Sequence, residues 1–474
     1  MARTDSLEHF LTDAAAAIRL KCGTSAQMNS NEMINTLNNI SEEMISSYIT
    51  QPVYQDGWEK GYAINTTYAF FNSIPNGLWE SICNQSIIYN LSFAEWTGLQ
   101  SFENYTTPIT TSVRNFNFKQ CYNIRTINLS GITNYTPVSW ENSFYDCFNV
   151  TSITLPFNGD FPFENGRGTF QNCYNLSSIV GIENLKLNNN TRLYGTFENC
   201  KKLNFNFLSS WNLFNIGDLN NAFKYSNLHL NDLKYFSNIQ MPVCTDVSNA
   251  FSGSNIENLI DLNLNFCNAK NSSRLFYNIQ ILQQINNCTI DLSQSNDASW
   301  MFGIFYNLTY ADLSNFYMNN VKNCSYMFFK CNNLENFSSQ RKIFESPINL
   351  SHMFDGCNNL INLPGGLFWH SVDWSNVNNI AQMFAHCNNM SHLSISWALY
   401  LINSINIQKI PASSRNLSQG NFYSPFYSTN INVNNVDFLD ELAMSGSAFD
   451  HEVWMSLINA GWNGIANLPG QPGK

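Results

Sequence analysis

Apolar and polar positions along this chain follow one unit that is written many times. Its clearest copies are Tyr326-Met-Phe-Phe-Lys-Cys-Asn-Asn-Leu334, His352-Met-Phe-Asp-Gly-Cys-Asn-Asn-Leu360 and Gln382-Met-Phe-Ala-His-Cys-Asn-Asn-Met390. In each, a phenylalanine (Phe328, Phe354, Phe384) stands three residues before a cysteine and five before an asparagine, and an apolar residue follows. The same anchor can be placed at Phe71, Phe93, Phe118, Phe144, Phe170, Phe197, Phe223, Phe251, Phe276 and Phe302, with steps of 22 to 30 residues and a mode of 26. Self-similarity at such a period marks an array of stacked units, none of which can bury its apolar edges alone. After the asparagine come Ile124, Ile127 and Leu129, then Val150, Ile153 and Leu155, and later Leu308, Ala311 and Leu313. That spacing is the strand core of a leucine-rich repeat. The residues ahead of the anchor, such as 321–328, read as a short helical or turn segment beneath the sheet. The pattern predicts a parallel-sheet, leucine-rich-repeat-like solenoid of about 13 units over residues 67–410. Between 207 and 300 the Cys and Asn disappear and the spacing drifts.

The flanks differ. In residues 1–48, Asp5 and Glu8 form a capping box, and Leu7, Phe10, Leu11, Ala14, Ile18 and Cys22 share one helical face that stops at Gly23. A second helix is expected from Asn31, with Met33, Ile34, Leu37, Ile40 and Met44 on one side. This module suits attachment or oligomerisation. Residues 49–66 read as a connector, and 411–474 as a loop followed by a helical cap around Asp450, Val453, Trp454, Leu457 and Ile458. A cap is expected because an open solenoid end exposes its core.

Composition narrows the functional classes. Only 12% of residues are charged, about half the usual share, so the polar surface is built largely from Asn, Ser, Thr and Gln. A net charge of −11 disfavours nonspecific binding to nucleic acid or anionic membrane. No apolar run reaches the roughly 18 residues of a membrane span. The N-terminus lacks the pattern of a secretory signal, so synthesis in a cytoplasm with reduced thiols is expected. Of 13 cysteines, seven occupy one repeat position (Cys121, Cys147, Cys173, Cys200, Cys331, Cys357, Cys387), which elsewhere holds Ser226, Ser254, Ile279 or Phe305. Cysteine exchanged for these residues behaves as a small buried side chain.

Candidate chemistry is sparse. No Cys-x-x-Cys pair, phosphate loop, nucleophile elbow or His-Glu-x-x-His motif occurs. His386 and His392 flank Cys387, but that cysteine is at a core position, so no metal is expected. Asp and Glu do not fall at a common repeat position, so no glycosidase-like carboxylate pair can be argued. A non-enzymatic protein without cofactor is expected. The binding candidate is an aromatic row formed by Tyr122, Phe148 and Tyr174, each lying between the Cys and the Asn of its unit. Stacked aromatics suit sugar rings or protein hot spots; alternatively the row merely stiffens the turn. Later units carry Asn332, Asn358 and Asn388 there.

The complete motif, Met-Phe-x-x-Cys-x-Asn-Leu-x-x-Leu, resembles the BspA-type leucine-rich repeats of bacterial, protist and phage surface proteins, which implies a solenoid used for adhesion. Residues 10–24, Phe-Leu-Thr-Asp-Ala-Ala-Ala-Ala-Ile-Arg-Leu-Lys-Cys-Gly-Thr, resemble the N-terminal segment of phage tail and baseplate-associated proteins of low-GC hosts. Together these resemblances imply a phage virion protein, tail-associated and receptor-binding. Its N-terminal helices would join other virion proteins or sister chains, and its solenoid would meet a host surface glycan or protein. A surface adhesin of a bacterium or protist is the alternative reading, and a polysaccharide depolymerase the second alternative.

Overall fold

Every anchor from Phe93 to Phe384 enters a single column. In the computed structural model their rings are fully buried. Successive rings lie 5.3–6.0 Å apart between centroids, with planes inclined by 2–26°. The model describes residues 90–361 and 376–389, apart from 103–107, 111, 138, 157–159, 340–342 and 346, together with Ile74, Trp79, Ile82, Cys83, Ile87 and Ile88. The helical module of 1–48, the connector 49–66, the first anchor Phe71 and the cap within 411–474 lie outside the described residues.

Because one coil places its anchor directly over the next, chain segments a repeat apart pair in parallel. Ser101–Phe102, Thr126–Asn128, Ser152–Thr154 and Ser178–Val180 form one sheet, in the register Phe102↔Ile127↔Ile153↔Ile179. Asn258–Ile260, Gln284–Asn286, Tyr310–Asp312 and Asn336–Ser338 form another, in the register Leu259↔Ile285↔Ala311↔Phe337. The middle residue of each strand is buried and its neighbours face outward, the two-residue period of a half-buried strand. Ile127, Ile153 and Ala311 are thus core positions, as the leucine-rich spacing predicts.

One feature departs from expectation. A second strand row runs beside the first: Asn263–Asn265, Thr289–Asp291 and Phe316–Tyr317 pair in parallel. Helix is scarce among the described residues, and of the helical or turn segment expected around each anchor, the turn is what forms. Its geometry explains why. Two residues before the anchor φ is +50 to +60° from Asn142 to Gln382, and two residues after it φ is again positive, from Glu95 to His386. These left-handed residues turn alternate amides along the solenoid axis. Phe144 N donates to Thr169 O (2.9 Å), Phe302 N to Met327 O (2.9 Å) and Phe354 N to Met383 O (2.8 Å), each in the next coil. An α-helix would close these bonds within the segment; here they tie coil to coil.

The Phe column also passes without a break through 207–300, where the motif fades. The longer step between Phe223 and Phe251 is taken up by a one-turn helix, Leu230–Leu233, and the 3-10 turn Lys234–Phe236, which tucks Phe236 against both anchors at 5.8 and 5.5 Å. Gly253 shows how closely coils approach. It adopts φ +66°, and a Cβ there would collide with the ring of Tyr225. Phe276→Ala should destabilise the protein by about 3–5 kcal/mol, since it opens a cavity and interrupts the column. Chemical denaturation monitored by circular dichroism would read this, and an unchanged midpoint would refute a structural role for the column.

Candidate functional site

Most of the residues that repeat are engaged by neighbouring coils. Each motif cysteine donates its thiol to the carbonyl of the anchor one coil earlier. Cys121 Sγ reaches Phe93 O, Cys147 reaches Phe118 O, and the series runs on to Cys387 and Phe354 O, at 2.9–3.2 Å. Where the position is cysteine, the side chain is therefore a buried hydrogen-bond donor as well as the small buried group the sequence suggests. Where serine replaces it the fit is poorer: Ser226 Oγ is buried without a hydrogen-bond partner, and Ser254 Oγ turns back to Phe251 O in its own coil.

The asparagines behave similarly. Asn123 Nδ2 donates to Thr97 O (2.6 Å), Asn149 Nδ2 to Tyr122 O (2.8 Å) and Asn175 Nδ2 to Phe148 O (3.1 Å). Each satisfies a turn carbonyl of the preceding coil.

A row that the sequence reading missed lies five residues before the anchor, at Asp218, Asp246, Asn271, Asp297, Asn323, Asn349 and Asn379, which form successive parallel bridges. Each side chain accepts the amide two residues on, at 2.8–3.2 Å. Acids do share a repeat position, contrary to expectation. Asp and Asn alternate because the turn requires only the acceptor oxygen. Asp218 and Asp246 are consequently adjacent carboxylates. Burial pushes the Asp218 carboxyl up, the Asn220 amide opposes this and Asp246 reinforces it. Both acids hold turn amides.

The predicted aromatic row exists as a stack. Tyr122 lies over Phe148 at 5.1 Å and 17°, and Phe148 leans on Tyr174 at 5.4 Å and 36°. The Lys201 ammonium closes the far side at 5.4 Å from the Tyr174 ring. All three rings are half-buried. Their faces cover one another, so a ligand approaching from the side meets ring edges and phenol hydroxyls. His386 turns toward Asp355, and so does His352: both Nδ1 atoms lie 2.8 Å from its carboxylate oxygens. His392 lies outside the described residues. Among the described residues no group of three His, Cys, Asp or Glu is placed to hold a metal ion, and no helix is long and apolar enough to cross a membrane.

Three overlapping stretches, residues 164–287, 245–365 and 296–421, match the family described as "Mycoplasma protein of unknown function, DUF285", and their union spans more than half of the 474-residue chain. The chain belongs to this family. Its stacked Phe, Cys and Asx rows show the family's repeat as coils of a parallel β-solenoid. A search of curated proteins finds no match. Among solved structures, a leucine-rich repeat protein from Bacteroides ovatus is 15% identical, with 77% of this chain and 98% of that chain covered and a TM-score of 0.39. A leucine-rich cell surface protein from Faecalibacterium prausnitzii is 14% identical (59% and 76% covered, TM-score 0.32), and a leucine-rich repeat protein from Eubacterium ventriosum 15% identical (70% and 89% covered, TM-score 0.28).

Burial raises the Cys121 thiol from 9.0 to about 12, with the Trp96 backbone opposing, and raises Cys244 to about 12 as well. Their thiols stay protonated in the fold while those of the unfolded chain ionise, so this contribution is complete below about pH 9 and is lost as pH rises towards 12. The melting temperature should fall between about pH 9 and 12, and a thiol-alkylating reagent should label these cysteines at about pH 8 only after denaturation. Rapid labelling of Cys121 in the native protein would contradict the buried ladder.

Proposed function

We propose that this protein is a non-catalytic adhesion protein, displayed on a bacterial cell surface and binding its partner through side-chain rows of the solenoid. One observation carries the reading. The Phe, Cys and Asn positions are taken up by coil-to-coil contacts and the Asx side chains by their own turns, while intervening positions present stacked rows such as Tyr122, Phe148 and Tyr174 at one-coil spacing. Such rows suit extended contact with a glycan or protein and offer no reacting constellation. The parallel β-solenoid, built like a leucine-rich repeat, supports the same reading.

The virion reading draws on the resemblance of residues 10–24 to phage tail and baseplate-associated proteins. Immunogold electron microscopy with antibody against residues 67–410 separates the two: gold on intact cells supports the adhesin, and gold confined to particle tails supports the virion protein. For the aromatic row, Tyr122→Ala with Tyr174→Ala should weaken attachment of protein-coated beads to target cells by at least about tenfold while the fold persists. Undiminished attachment would limit the row to stiffening the turns.

A further inference from the structure

The left-handed position two residues before the anchor changes character halfway along the solenoid. From Phe144 to Phe251 it holds Asn142, Gly168, Gly195, Asn221 and Asn249, residues that tolerate positive φ. The next four coils place Arg274, Trp300, Tyr326 and His352 there, at φ 57, 60, 59 and 55°. Large side chains avoid this region because Cβ crowds the following carbonyl, and strained residues gather where function holds them. Trp300 stacks on Tyr326 at 4.3 Å and 6°, and Tyr326 on His352 at 4.4 Å and 7°. Phe329 packs edge-on against Trp300 and Tyr326. The strip is flanked by cations: the Arg274 guanidinium lies 5.8 Å from the Trp300 ring and the Lys330 ammonium 5.2 Å from that of Phe329. Arg274 and Lys330 are exposed and the rings half-buried.

The acids beside this strip are already engaged. Asp355 is buried and receives His352 and His386, and Asp297 accepts the Ser299 amide at 2.8 Å. Glu257 and Glu335 stand immediately ahead of strands Asn258–Ile260 and Asn336–Ser338. A protein of net charge −11 thus carries a cationic, aromatic strip along one edge.

We propose that Arg274, Trp300, Tyr326, His352 and Lys330 form a binding strip for an acidic polysaccharide lying along the solenoid axis. This deepens the adhesion reading and rests on it. A row with one rung per coil fits a linear ligand that repeats its own groups. Indole, phenol and imidazole rims, with the two cations, donate to carboxylate, sulfate and hydroxyl oxygens. Single-stranded nucleic acid is the other linear polyanion, but its bases bind by stacking on open aromatic faces. Here the faces between rungs are closed by the rings themselves.

Surface plasmon resonance on the full chain, with heparin and hyaluronan as acidic probes, dextran as the neutral one and oligothymidine as the nucleic acid, tests this. The wild type should bind heparin and hyaluronan, with affinity falling as salt rises, and should ignore dextran. Trp300→Asn with Tyr326→Asn installs the residue that earlier coils carry. It should weaken binding by at least about tenfold and leave the melting temperature unchanged or higher, a combination that a purely structural stack would not give. If that variant does not fold, Arg274→Gln with Lys330→Gln decides, by a loss of affinity and a shallower salt dependence. Arg167→Gln, on the N-terminal turns, should bind as wild type.

Undiminished binding by the folded variants would overturn the proposal, as would oligothymidine binding as tight as the polysaccharides. A wild type that adheres to cells yet binds neither acidic probe overturns the strip and leaves the adhesion reading standing. Failure to adhere and to bind overturns both.

Discussion

The stacking of one phenylalanine on the next, with the backbone amides beside it turned along the axis, is the constraint on which the rest depends. A ring column with centroids 5.3–6.0 Å apart fixes the rise between coils, and that rise brings segments 26 residues apart within hydrogen-bonding distance. Parallel strands, thiol latches and asparagine ladders follow from it, because each needs its partner at the same height in the neighbouring coil. A single coil could make few of these bonds. Stability is therefore a property of neighbours, as expected of a quasi-one-dimensional fold.

The same constraint places residue types usually associated with chemistry in structural contacts. Cysteine serves as a small buried donor, and burial holds its thiol protonated. Asp218 and Asp246, the adjacent carboxylates most open to a catalytic interpretation, each hold a turn amide. His352 and His386 share one buried carboxylate. The proposed adhesion reading therefore falls on the positions between these rows, where side chains vary from one end of the solenoid to the other.

Much of the fold could be read directly. The anchors from Phe93 to Phe384, the buried strand centres Ile127, Ile153 and Ala311, and the stack of Tyr122, Phe148 and Tyr174 all lie where the repeat places them. The row from Asp218 to Asn379 is hidden in the sequence because Asp and Asn are interchangeable as turn acceptors but differ in charge, so the acids alone do not recur. The strip from Arg274 to His352 is hidden for a related reason. Its members share a backbone conformation and no side-chain chemistry, and no periodicity of hydrophobicity reports a left-handed φ.

The sequence by itself determined the period, the residues that enter the core and the parallel architecture, because burial and spacing are encoded locally and repeated. The tertiary structure alone decided what each repeated residue does for its neighbour. A thiol meets the previous anchor's carbonyl, an amide meets the previous turn, and four unlike side chains join into one strip. Those partners lie a whole coil away, and only the stacking of coils sets the distance between them.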